Sequence, residues 1–228
     1  AGVLGAADLA VVNMETAIAE GGTPAPKEFL FRAPASALEA FRSAGVDVVS
    51  AANNHGMDFG VEGLQETLAA EQAAGYPVIG IGADEDEAYA PFLAEVRGQR
   101  IAVVAATQVL DSSLIEEWTA GPGVPGVASA KQVDRLVAEV AAARAIADTV
   151  VVFLHWGRET ETCPTGDQQS LAQALVDAGA DVVVGGHAHR VQGGGRLGAS
   201  VANGTGGAVV HYGLGNFGFQ ANSAAGAR

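Results

Sequence analysis

A chain of 228 residues, 49% hydrophobic and 17% charged, carries enough apolar surface for a sizeable core and too few charges to stay disordered. With 26 acidic against 12 basic residues its formal charge is −14, and the lack of any basic block excludes nucleic acid and anionic membrane surfaces as expected partners. The apolar runs are too short to cross a bilayer, the lone Cys163 excludes an internal disulfide, and the length is expected to make one domain over residues 1–228.

Taken in order, residues 8–13 form an apolar run ending in Asn13-Met14-Glu15-Thr16, so a buried strand is expected to deliver polar groups at its carboxyl end. Pro24 and Pro26 mark a polar loop, and Ser36 with Glu39 predicts a capping box for a helix that Gly45 stops. A second strand over 46–51 delivers Asn53-Asn54-His55. The helix after it is expected to start at Asp58, to bury Val61, Leu64 and Leu68 and to end at Gly75. Residues 77–82 form a further apolar run, and the acidic stretch 84–87 reads as a solvated turn, since it lacks the alternating spacing of a calcium loop. Residues 101–106 read as a strand and 111–127 as a long irregular loop. Ser129 with Gln132 predicts a cap for a helix that buries Val133, Leu136, Val137 and Val140. The strand over 149–154 delivers His155-Trp156-Gly157-Arg158-Glu159, and a helix over 167–178 leads through Gly179 into the next strand. Residues 209–212 form a last strand before Gly213-Leu214-Gly215-Asn216-Phe217.

The stretch Asp181-Val182-Val183-Val184-Gly185-Gly186-His187-Ala188-His189 shows the recurring grammar most plainly: a valine run, two glycines that let the chain turn, then two imidazoles. His55, His155, His187 and His189 all follow apolar runs, and Glu15 and Asn54 hold equivalent positions. In open α/β sheets the carboxyl ends of strands share one edge, where ligands collect. Imidazole, carboxylate and amide oxygen without thiolate suit a divalent ion such as Mn, Fe or Zn. Taken singly, His55 or His155 also fits a core or loop histidine, and Asn54 a turn residue. Arg158 either presents its fork of donors to a phosphate or pairs with Glu159 or Glu161. Trp156 and His211 read as packed side chains and Asn216 as a loop hydrogen-bonder.

Five segments, Val11-Val12-Asn13-Met14-Glu15-Thr16, Ala52-Asn53-Asn54-His55, His155-Trp156-Gly157-Arg158-Glu159, Gly185-Gly186-His187-Ala188-His189 and Gly213-Leu214-Gly215-Asn216-Phe217, together resemble the CapA family. These are poly-gamma-glutamate capsule biosynthesis proteins within the calcineurin-like metallophosphoesterase superfamily, and the resemblance covers residues 8–219. It implies an α/β four-layer sandwich with two central mixed β-sheets flanked by helices. It also implies Asn54 as an amide ligand, His55 as a catalytic histidine, His155, His187 and His189 as metal ligands, and Glu15 as a bridging carboxylate in an Asn-Met-Glu setting that departs from the usual Gly-Asp. The family's opening strand and first Gly-Asp motif have no counterpart before Ala1. One metal is therefore expected to keep Glu15, Asn54, His155 and His187 and the other only Glu15 and His189, so up to two divalent ions bind unequally.

The implied function is metal-dependent phosphoester hydrolysis associated with capsule or poly-gamma-glutamate production. Two cations about 3.5 to 4 Å apart would hold a hydroxide for attack on phosphorus, with His55 as general acid and Arg158 clamping a phosphate oxygen. The alternatives are a non-hydrolytic metal-binding accessory component of a polymer synthesis or export complex, and a gamma-glutamyl amidase. Expected partners are an anionic small-molecule or polymer substrate and a membrane-associated synthesis or export complex. The expected location is the bacterial cell surface or outside it, with the full-length protein membrane-anchored and no anchor in this chain.

Overall fold

Valine-rich runs become strands here because both of their faces are covered, the condition that lets near-continuous apolar segments form parallel sheet. The computed structural model describes residues 2–198 and 206–217. The chain divides into two compact units, the first made of residues 1–92 and 105–129 and the second of residues 93–104 and 130–228. Residues 218 and 219, the end of the span that resembles the family, lie outside the described residues.

The first unit runs through β1 (Val11–Asn13), β2 (Ala17–Ile18), β3 (Arg32–Ala33), α1 (Ser36–Ala44), β4 (Val48–Ser50), α2 (Gly60–Ala74), β5 (Val78–Ile79), β6 (Ile81–Gly82) and α3 (Glu85–Tyr89). The chain continues through β7 (Phe92–Val96) and β8 (Gln99–Thr107), then α4 (Ile115–Trp118) and β9 (Gly126–Val127). The second unit adds α5 (Val133–Ile146), β10 (Thr149–Trp156), α6 (Gly166–Asp177), β11 (Val182–His187), β12 (Gly194–Leu197) and β13 (Ala208–His211).

In the first unit β1, β4 and β5 form a parallel sheet in that order, with Val11 opposite Val48 and Asn13 opposite Ser50. Its core gathers Leu38 from α1, Val49 from β4, Leu64 from α2 and Trp118 from α4, all buried. A leucine so placed contributes about 2 kcal/mol. Tyr76 anchors the end of α2 by donating its hydroxyl to the Val46 carbonyl at 2.8 Å, and burial pushes its phenol up to about 12. The larger sheet has the order β12-β13-β11-β10-β8-β7; β10, β11 and β13 run parallel and β12 antiparallel to β13, so it is mixed. In the second unit α5 packs on β10 and α6 on β11, burying Leu136, Val140, Leu171 and Leu175. Among the described residues no helix is long and apolar enough to cross a membrane.

Several local expectations fail for identifiable reasons. Ser36 is the first residue of α1 rather than its cap, because Ala35 occupies the cap position with helical backbone and no side-chain bond forms. The helix expected from Asp58 starts at Gly60, and Val61 is exposed; the Asp58 carboxylate has tertiary partners instead. Residues 84–87 belong to a capped helix, with Asp84 accepting from the Glu87 amide at 3.0 Å. The expected loop 111–127 contains α4 and β9 and buries Trp118. Ser129 is not the cap residue of α5: its amide and carbonyl bond the Tyr89 hydroxyl, and Gln132 holds the cap position with Val133 exposed. Gly45 and Gly75 do end their helices, in left-handed backbone.

The neighbouring glycines of β11 give a matched test of the larger sheet. A Cβ on Gly185 would stand 1.9 Å from Trp156 Nε1 and 2.5 Å from the Tyr212 carbonyl, whereas one on Gly186 meets nothing within 4 Å. Gly185→Ala is expected to lower the unfolding free energy by about 3 kcal/mol, and Gly186→Ala by a few tenths, as measured by chemical denaturation.

Candidate metal centre

The second unit builds the imidazole cluster from two adjacent strand ends. Parallel register sets His155 of β10 opposite Gly186 and Trp156 opposite His187 of β11. The His155 and His187 rings lie 4.7 Å apart between centroids, and those of His187 and His189 6.1 Å. His155 and His187 offer ring nitrogens within 4.8 Å of one another, and His155 is 1% exposed. The His189 Nδ1 lies 2.7 Å from Asn216 Oδ1; with the amide oxygen as acceptor, Nδ1 carries the proton and Nε2 is left as the ligand atom.

Both paired histidines sit in left-handed backbone, His187 at φ 83° and His189 at φ 53°. This region costs an L-residue roughly 1–2 kcal/mol and is the ordinary province of glycine. In a chain with 31 glycines, imidazoles are nevertheless present at both turns. The observation points to work done by the side chains.

The loop after β10 is tied to the turn after β11. The Thr160 amide donates to the Ala188 carbonyl at 2.8 Å. Buried Gln168 donates to Gln192 Oε1 at 3.0 Å, and Gln192 Nε2 donates to the Glu161 and Cys163 carbonyls at 3.2 and 3.3 Å. Arg158 is carried, exposed, on this tethered loop. Trp156 is fully buried and donates to the Tyr212 carbonyl, in keeping with a packed role. His211 is half-buried in β13.

The first unit holds Glu15, Asn54 and His55, and two asparagines order them. Asn53 Nδ2 donates to Asn13 Oδ1 at 3.0 Å and to the Met14 carbonyl at 2.9 Å, and Asn13 Nδ2 donates to Glu15 Oε2 at 3.0 Å. Asn53 Oδ1 accepts from the His55 amide at 2.9 Å. Asn53 is thus committed to backbone and neighbours, while half-buried Asn54 follows it in the turn. His55 Nδ1 meets Asp58 Oδ2 at 2.7 Å, with Asp58 wholly buried, and the Phe31 ring stacks on the imidazole at 4.1 Å. A short contact to a carboxylate requires a proton between the partners, so Nδ1 donates and Nε2 remains for chemistry.

Sequence reasoning missed Asp58, Asn13 and Lys27. Asp58 was detectable, being one helical turn from His55, whereas Lys27 approaches from 28 residues away and leaves no periodic trace. The donor set is consistent with a borderline divalent ion: imidazoles on rigid strand ends, one with its outer nitrogen bonded, and no thiolate.

Solved structures share this mixed α/β fold. A hypothetical protein from Thermus thermophilus aligns over 94% of this chain and 67% of its own, with TM-score 0.55 and 21% identity. The Haemophilus influenzae NAD nucleotidase (NadN) aligns over 79% of this chain and 32% of its own, with TM-score 0.51 and 14% identity. Residues 1–221 match the family described as bacterial capsule synthesis protein PGA_cap, and the chain belongs to that family. The PGA biosynthesis protein CapA of Bacillus subtilis (strain 168) is 32% identical over 197 residues, which are 86% of this chain and 48% of that protein. The chain therefore spans about half the length of the curated relatives it matches.

If His187 is kept for ligation against its backbone preference, glycine and alanine replacements separate the two effects. His187→Gly is expected to be about 1 kcal/mol more stable than His187→Ala in metal-free denaturation, because glycine relieves the left-handed residue. Both should lose metal binding in titration calorimetry.

Proposed function

We propose that the chain is a metal-dependent phosphoester hydrolase acting in capsule or poly-gamma-glutamate production at the bacterial cell surface. The observation that carries this reading is the pair of histidines held in left-handed backbone beside buried His155. His155, His187 and His189 are the imidazole ligands in this reading, and Glu15 and Asn54 the oxygen ligands, for one or two divalent ions of the Mn, Fe or Zn type. Such an ion supplies Lewis-acid polarisation of a phosphoryl oxygen and activates water.

The remaining steps belong to the chain's own residues. His55, its Nδ1–H held by Asp58, acts in its imidazolium form, giving the Nε2 proton to the leaving oxygen and being left as the neutral Nδ1–H tautomer. Arg158 binds a phosphate oxygen through its guanidinium fork. The expected substrate is anionic, and the longer protein to which such a chain corresponds is membrane-anchored and works beside a polymer synthesis or export complex. The fixed His55–Asp58 pair favours hydrolysis over a purely structural use of metal, since ion binding needs ligands and no oriented proton donor.

The test is turnover by the metal-loaded chain of bis(p-nitrophenyl) phosphate against gamma-glutamyl p-nitroanilide. Hydrolysis of the phosphodiester is expected, with kcat lowered about 10²- to 10⁴-fold in His55→Ala at unchanged metal content. Turnover of the amide alone would move the assignment to a gamma-glutamyl amidase. Turnover of neither by a metal-binding protein would assign the accessory role.

A further inference from the structure

The segment between β2 and β3 reads in sequence as a proline-marked loop, yet it encloses the turn that carries His55. Its Ala25 amide donates to the Asp58 carbonyl at 2.9 Å and its Phe31 amide to Asp58 Oδ2 at 2.6 Å. Lys27 enters the same turn with a side chain only 8% exposed. Its ammonium donates to the Asn54 carbonyl and to Asp58 Oδ1 at 2.8 Å, and it stands 3.4 Å from His55 Nδ1 and 3.7 Å from Asp111 Oδ2. It also lies 5.2 Å from the centroid of the Trp118 ring, a cation–π position.

We propose that Lys27 is the positioning residue of His55. By gripping Asp58 Oδ1 and the Asn54 carbonyl together, it fixes the carboxylate so that Oδ2 holds His55 with Nδ1–H inward and Nε2 outward. Both Asp58 oxygens are engaged, so the carboxylate cannot rotate. The stacked Phe31 ring resists rotation of the imidazole. Three donors radiating from one point suit this grip, which a planar or single donor cannot reproduce in full. The role in catalysis rests on His55 being the proton donor; the positioning itself does not.

The experiment is long-range 1H–15N correlation of the imidazoles in the metal-free protein, comparing wild type with Lys27→Met, Lys27→Gln and Lys27→Arg. Wild type is expected to show His55 as a single Nδ1–H tautomer with a downfield, slowly exchanging proton. In Lys27→Met a tautomer mixture is expected, with exchange at least about tenfold faster, and Lys27→Arg should recover part of the protection. Because removing the ammonium takes the cation from a buried carboxylate, Lys27→Met can fail to fold; Lys27→Gln, which keeps a donor for the Asn54 carbonyl, then takes its place with the same expected mixture. A folded Lys27→Met or Lys27→Gln protein with an unchanged Nδ1 proton overturns the proposal. No substrate enters this measurement, so an inactive wild type would remove the hydrolase reading while the tautomer still judges Lys27. In an active enzyme, Lys27→Arg should lower kcat with KM within about threefold, the mark of an interaction made for the transition state.

Discussion

The parallel register of β10 and β11 is the constraint from which the imidazole cluster follows. Trp156 ends β10 opposite His187, and its indole passes over Gly185, donating to the Tyr212 carbonyl at 2.7 Å. A side chain at position 185 would occupy that space, so the missing Cβ is what allows a fully buried tryptophan to lock β10 and β11 to the segment after β13. Burial of an indole on this scale is worth several kcal/mol. His155 precedes that anchor and His187 lies across from it, so the spacing of their rings is set by sheet geometry more than by side-chain choice. Ligands mounted on strand ends are held more tightly than ligands on free loops.

The first unit solves a different problem, the placement of polar groups inside a turn. The chain from Asn53 through Asn13 to Glu15 passes from one side-chain amide to another and ends on a carboxylate. It depends on β1 and β4 pairing with Asn13 opposite Ser50, reinforced by the Met14 amide on the Ser50 carbonyl at 2.8 Å. A buried amide left without partners would cost about 1–3 kcal/mol, so each bond here also narrows the conformations the turn can adopt. Asp58 extends the same logic to charge. A carboxylate with no solvent exposure is tolerable only when paired, and Lys27, His55 and the Phe31 amide supply the pairing.

Physical scale decides which parts of this architecture are visible in the residues. Strands 48–50, 149–156 and 182–187 stand out because runs of valine carry a local signal, and the histidines at or just after their ends inherit their position. Glycine stops at 45 and 75 are legible because left-handed backbone excludes most other residues. The spacing at Ser36 misleads because the same Ser-to-Glu interval arises without cap geometry when the preceding alanine is already helical. Asp58 does not start its helix because a cap preference of about 1 kcal/mol yields to a buried partner. Pairings such as Lys27 with Asp58 or Gln168 with Gln192 join residues more than 20 positions apart, and no periodicity encodes them.

For the proposed anionic substrate, a chain charge of −14 is a problem of range. At physiological ionic strength charges are screened over about 8 Å, so most of the acidic surface is not felt at a binding site. What is felt is local: Arg158 on the tethered loop after β10, and Arg190, whose guanidinium rests on the His189 carbonyl at 3.4 Å. A divalent ion held by neutral imidazoles and a single carboxylate would dominate such a neighbourhood, because one carboxylate leaves a net positive charge that several thiolates would cancel. An acidic exterior would slow the approach of a polyanion without preventing its capture, and would discriminate against long anionic polymers relative to short ones.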